Sequence, residues 1–124
     1  MANGKVDKDL QAYEDFEKYL GEEISMTTDF DLPLSVLVVL MHDGWDDDAT
    51  QSALGVLRLA DLVTSTAPGE LAVALPNTTT NDAHVVEDRL RRAVPEARVC
   101  ITPHRTGDTV QDLLKRAREA AASA

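Results

Sequence analysis

The chain has 124 residues, 44% of them apolar, a single cysteine and a formal charge of −10. This length suits one domain with a real core, and no apolar run is long enough to span a bilayer. The charge argues against general nucleic-acid binding and against an anionic membrane surface, so neither partner is expected; the acidic excess itself is read as solubility.

The start, MANGKVDKDL, is polar and has no secretory apolar region, which predicts a cytoplasmic protein. Residues 1–8 are expected to be disordered, 9–121 to form the single domain, and 122–124 to be a frayed tail. Residues 9–26 carry Leu10, Tyr13, Phe16, Leu20 and Ile24 at helical spacing and predict an amphipathic helix. Residues 27–33 break it, because Pro33 cannot continue a helix and pushes Leu32 towards an extended shape. The run LSVLVVLM, residues 34–41, predicts a central strand covered on both faces.

Residues 42–48, HDGWDDD, read as a loop. The four aspartates have no glycine-spaced calcium loop around them, and Asp47 or Asp48 is expected to cap the next helix. Trp45 is either a partner contact or a cover over the end of the core. That next helix spans 49–60, with Leu54, Val56 and Leu57 on its apolar side. Two apolar runs, 62–63 and 71–75, flank the turn-forming stretch 64–69 and predict a hairpin. A helix over 82–94 comes next, capped by Thr80 or Asn81 and burying Val85, Val86, Leu90 and Val94, with Pro95 ending it. A strand over 97–102 contains Cys100, which excludes an internal disulfide and reads as a small buried hydrophobe. After a turn at Thr106 and Gly107, Asp108 with Gln111 is expected to cap a last helix that buries Val110, Leu113, Leu114 and Ala117. His42, His84 and His104 have no metal-ligand spacing.

The order is helix, βαββαβ, helix. It predicts an α+β fold with a ferredoxin-like antiparallel sheet, helices on one face, and extra N- and C-terminal helices. That pattern alone assigns no function.

The stretch RLADLVTSTAPGELAVALPNT adds one. It resembles the core of GGDEF domains, the bacterial diguanylate cyclase family, whose pattern is R-x-x-D, five residues, G-G-[DE]-E-F, and a strand ending in P-x-T. Arg58 and Asp61 stand at the R-x-x-D. Ala67, Pro68, Gly69, Glu70 and Leu71 stand at the signature, and Pro76 and Thr78 at the P-x-T. The likeness extends to Glu87–Arg91, similar to the family's A-E-R-L-R helix, and to the LLKRA of the last helix. It covers about residues 10–121 and implies a nucleotidyl cyclase-like fold.

The resemblance implies two metal ions held by carboxylates at the end of the first strand and in the signature. The matching residues here are Leu40, His42 and Gly69, and the signature glycines are replaced by Ala67 and Pro68. Only Glu70 is retained. No metal, no cofactor and no cyclase activity are therefore expected. The R-x-x-D is the family's inhibitory site for cyclic di-GMP, and its third residue maps to Arg89. Arg58, Asp61, Arg89 and the neighbouring Arg92 are thus candidate ligand residues. An arginine can donate two hydrogen bonds to guanine O6 and N7, and a carboxylate can accept from N1–H. The competing view is an ordinary ion pair at a helix end. The expected function is a cyclic di-GMP receptor that signals to a protein partner or a second copy. The alternative is an interaction or scaffold domain that has lost nucleotide binding.

Overall fold

A computed structural model describes residues 8–123. The element order is α1 (Tyr13–Phe30), β1 (Leu34–Leu40), α2 (Asp47–Leu54), β2 (Leu62–Ala67), β3 (Glu70–Pro76), α3 (Thr80–Ala93), β4 (Arg98–Pro103) and α4 (Val110–Ser123). The four strands form one antiparallel sheet in the order β2-β3-β1-β4. The fold is α+β, with the βαββαβ core and two added helices that the sequence pattern predicts.

Helices cover both faces of the sheet, not one. Successive side chains of a strand point to opposite faces. In β1, Leu37 and Val39 join the core cluster with Leu54 of α2 and Leu90 of α3. Val36 and Val38 join the other, with Phe16 and Leu20 of α1 and Leu113 and Leu114 of α4. The two terminal helices supply the second layer, because an all-apolar central strand must be dry on both sides. In β3 the buried residues of the second face are Ala72 and Ala74. These short side chains leave room for the Phe16 ring, which is fully buried.

Several boundaries move for identifiable reasons. The first helix starts at Tyr13, not residue 9, because Gln11 bridges to Thr64 of β2 instead. It then runs past Met26 to Phe30 and ends at Asp31, a left-handed residue whose N–H bonds Thr27 O. Leu10 and Tyr13 are consequently outside the apolar face, each about 40% exposed. The second helix ends at Leu54, so residues 55–60 are non-helical turns and bends. The hairpin strands reach Ala67 and Glu70, leaving a turn of only Pro68 and Gly69.

Caps shift by one residue throughout. Asp46 Oδ1, not Asp47 or Asp48, accepts from Ala49 N. Thr79, not Thr80 or Asn81, caps α3 by accepting from Asp82 N. Thr109 and Asp112 form the reciprocal box of α4. Asp108 instead accepts from Arg105 N and pairs with Arg116 at 2.8 Å, and Gln111 donates to Glu17 of α1. On α3, Val85 is half exposed and Ala83 takes the buried place. Cys100 is only partly buried, packed against the second cluster.

Of the expected disordered start, residues 1–7 lie outside the described residues. Lys8 is described, and its ammonium donates to Leu59 O at 3.2 Å. Of the expected frayed tail, Ala122 and Ser123 are helical and residue 124 lies outside the described residues. No described helix is long and apolar enough to cross a membrane.

Candidate functional site

β2 joins two turns, and each carries one of the motifs. At its start is the turn of Arg58 and Asp61. α2 stops at Leu54, and the chain tightens through short bonds from Val56 N to Ala53 O and from Leu57 N to Leu54 O. Val56 and Leu57 pack on the first core cluster and so anchor the start of this turn. Asp61 N then donates to Arg58 O, and Arg58 N donates back to Asp61 Oδ2 at 2.7 Å. Asp61 Oδ1 accepts from Arg58 Nε (3.1 Å) and Nη2 (2.7 Å). The three-residue spacing thus closes a turn by backbone and side chain together.

The turn is tied to the end of β3. Arg58 Nη2 also lies 3.0 Å from both Pro76 O and Thr78 Oγ1. Thr78 Oγ1 donates to Pro76 O, and Ser35 Oγ donates to Thr78 O. Asn77 takes a left-handed conformation that turns Thr78 inward, where it is buried. Asp61 is 2% exposed, whereas the Arg58 side chain is 54% exposed. The hydrogen bond to Asp61 holds the Arg58 guanidinium protonated more firmly than usual. Burial lowers the Lys8 pKa, and the Asp61 charge acts against that shift. Lys8 and Thr78 are participants that sequence reasoning missed. The signal for Thr78 was present in the P-x-T; Lys8 carries no local signal.

The candidate ligand residues are brought only partly together. Arg58 and Asp61 are in direct contact, but both Asp61 oxygens face Arg58. Arg89 and Arg92 are exposed on α3. Arg91, between them, pairs with Glu87 at 2.7 Å. Among the described residues Arg89 and Arg92 make no hydrogen bond or ion pair, and none joins them to Arg58. Asp82, in the first turn of α3, acts electrostatically on Arg58. Arg89 lies seven residues further, roughly 10 Å along the helix axis. Among the described residues, this region offers a ligand the unbonded Nη1 edge of Arg58 and two free guanidinium groups on the helix beyond.

The second turn lies at the other end of β2. Pro68 followed by Gly69 with φ +75° is the residue pattern of a type II turn. Gly69 O accepts from Met41 N, and a Cβ at Gly69 would lie 2.7 Å from Met41 O. The close approach of two backbones, as well as the positive φ, requires glycine here. Glu70 Oε1 accepts from Thr66 Oγ1 (2.9 Å) and from Arg118 Nε (2.6 Å). Leu71 is buried in the first cluster. Leu40 is the cross-strand partner of Glu70 and packs on the second cluster, while His42 is exposed. Leu40 and Gly69 offer no side-chain oxygen, so the residues at these places do not fit a carboxylate-held metal pair. Among the described residues no group of three His, Cys, Asp or Glu is arranged to hold a metal ion. Trp45 packs on the first cluster beside this loop, with its indole N–H buried and without a hydrogen-bond partner among the described residues.

No protein-family model matches the sequence, and no curated protein does. Solved structures do match. The GGDEF domain of YfiN (TpbB) from Pseudomonas aeruginosa superposes with a TM-score of 0.82 at 19% identity, over 93% of this chain and 89% of that one. The fold is that of a GGDEF domain. The diguanylate cyclase SiaD from Pseudomonas aeruginosa, solved with its activator SiaC, gives 0.79 at 21% identity. The match covers 89% of this chain but about half, 53%, of SiaD. The GGDEF domain of DgcB from Caulobacter crescentus, solved with cyclic di-GMP, gives 0.76 at 11% identity, over 95% and 91% of the two chains. At these identities the likeness is one of fold, and the GGDEF fold places both turns of β2 without assigning either a ligand.

Proposed function

We propose that this is a non-catalytic, cytoplasmic GGDEF-fold domain that binds cyclic di-GMP beside the Arg58 turn and relays it to a protein partner. The observation that carries the reading is the state of the arginines. Arg58 is half exposed yet held in one position by Asp61, Pro76 and Thr78. Arg89 and Arg92 are exposed and unpaired among the described residues, in a chain with 22 acidic side chains. Held and free guanidinium groups on neighbouring elements suit a ligand with two guanines and two phosphates. Asp61 serves in this reading as the group that positions Arg58. The relay is a change of assembly, in which the dinucleotide bridges two arginine-bearing surfaces of two copies or of this chain and a partner.

The non-catalytic part of this reading is supported by the hairpin. The third signature position must be glycine for steric reasons, and the retained Glu70 is engaged by Arg118 and Thr66. Calorimetric titration with cyclic di-GMP tests the binding, with Arg89→Ala as the variant that leaves the fold intact and Arg58→Ala beside it. Saturable heat that Arg89→Ala weakens supports the receptor reading. At a hundredfold excess over its dissociation constant, a ligand stabilises by about 2.7 kcal/mol, which a thermal shift also reads. GTP turnover with magnesium or manganese tests the rest, and product above background overturns it.

The second reading is an interaction domain without nucleotide. It is favoured by the burial of Asp61, whose oxygens are both already engaged by Arg58. Absence of heat and of thermal shift selects it.

A further inference from the structure

β2 is an outer strand, and its free edge is only partly covered. Gln11 covers it at Val63, donating its N–H to Val63 O at 2.8 Å and accepting from Val63 N through its side chain at 3.3 Å. Along a strand, the N–H and C=O of every second residue point to the same side. By that alternation Ser65 also lies on the outer edge, where the pairing with β3 becomes irregular between Ser65 and Ala67. By then the chain has left the sheet edge to begin α1 at Tyr13. A wedge opens between the start of α1, the edge of β2 and α4, with a volume of about 570 Å³. That is the size of a small-molecule site.

The walls differ in chemistry. Tyr13 and Leu114 supply an apolar side, and Ser65 and Thr66 supply the sheet edge. From α4 come Lys115, Arg118 and Glu119. Lys115 makes no hydrogen bond or ion pair among the described residues, not even with Glu119 one turn on. Arg118 uses Nε to hold Glu70, which leaves both Nη groups without a partner among the described residues. Two cationic side chains with spare donors among the described residues thus line one cavity.

We propose that this cavity binds a small organic acid that carries its own hydrogen-bond donor. Its acid group lies between Lys115 and Arg118. Glu119 would repel a plain anion, so the ligand needs a hydroxyl or ammonium group to meet Glu119. The carbon body lies against Tyr13 and Leu114. The site is independent of the Arg58 turn, which sits at the other end of β2.

The test is an NMR titration of the ¹⁵N-labelled chain with L-phenylalanine as probe, and with benzoate as an acid lacking the donor. L-phenylalanine is expected to shift the amides of Ser65, Thr66 and Lys115 saturably, and benzoate to bind several-fold more weakly. Lys115→Gln, an exposed change, weakens L-phenylalanine by roughly tenfold, and Glu119→Gln narrows the gap between the two probes. No saturable shift, or equal binding in Lys115→Gln, overturns the site. Equal binding of both probes overturns the donor requirement. Arg58→Ala leaves these shifts in place, which separates this site from the cyclic di-GMP reading.

Discussion

The two turns of β2 meet the same demand in opposite ways. The Arg58 turn is polar and locks itself through side chains, with a buried carboxylate at its centre. The Gly69 turn has no side chain at its critical position and locks through backbone contact with Met41. A motif retained in sequence can therefore be structural as well as functional, because Asp61 shapes its turn whether or not a ligand arrives. A turn that needs glycine for steric reasons does not admit a carboxylate at that position. Gly69 cannot be exchanged for a carboxylate without moving Met41.

Removing the buried carboxylate breaks the comparison most directly. Asp61→Ala leaves the Arg58 N–H and guanidinium without their acceptor, and we expect a loss of about 2–4 kcal/mol by urea denaturation. The half exposure of Arg58 keeps the loss from being larger. A loss near zero would mean that the turn does not depend on the pair, and Asp61 would then be free for a ligand.

Gly69→Ala tests the other turn. Positive φ and the 2.7 Å approach to Met41 O predict a cost of about 1–3 kcal/mol. Gly69→Asp, which places a carboxylate at the position the sequence resemblance aligns with the third signature residue, costs at least as much and yields no metal-dependent turnover. Turnover in that variant would sink the steric part of the proposed non-catalytic reading.

Smaller effects sharpen the contrast. Thr78→Val removes the hydroxyl shared by Arg58 and Pro76 and costs about 1–2 kcal/mol, since its partners are only partly exposed. Glu70→Gln at the hairpin costs at most about 1 kcal/mol, because the Arg118 side chain is half exposed. If the two changes cost the same, the polar turn is not the more cooperative one.

Asp108 supplies a reference away from both turns. Burial raises its pKa, but hydrogen bonds from Arg116 and Arg105 N–H and the charges of Arg116 and His104 outweigh that and hold it below the ordinary value. A depressed folded pKa stabilises above the unfolded value, about 3.9, and the contribution is lost as pH falls through the folded value. Asp108→Asn should therefore flatten the acid limb of the stability profile and leave its shape near neutrality unchanged, as unfolding midpoints across that range would show.

Much of the fold was legible because strong local patterns carried it. LSVLVVLM reads as a two-sided central strand, and the turn residues between 64 and 69 read as a hairpin. The errors have one source. Residues 9–12 have helical spacing, but Gln11 finds better partners on the edge of β2. Residues 55–60 have no breaker stronger than Gly55, yet the helix ends at Leu54, the chain tightens at Val56 and Leu57, and Asp61 then closes it on Arg58. Cap positions slipped because several adjacent Thr and Asp residues can each cap, and only the approach of the chain selects one. At the candidate site, the R-x-x-D spacing identified the contact between Arg58 and Asp61. It did not reveal that Asp61 faces inward, nor that Thr78 and Lys8 complete the turn.

The sequence by itself determined the order of elements, the central strand and the glycine-dependent hairpin, because period, turn chemistry and steric demand act over a few residues. Only the tertiary structure decided which face each helix covers, which acid is buried, which arginines stay unpaired and where the cavity opens. Those depend on residues far apart in the chain, such as Arg58 with Thr78 and Glu70 with Arg118, meeting across the sheet.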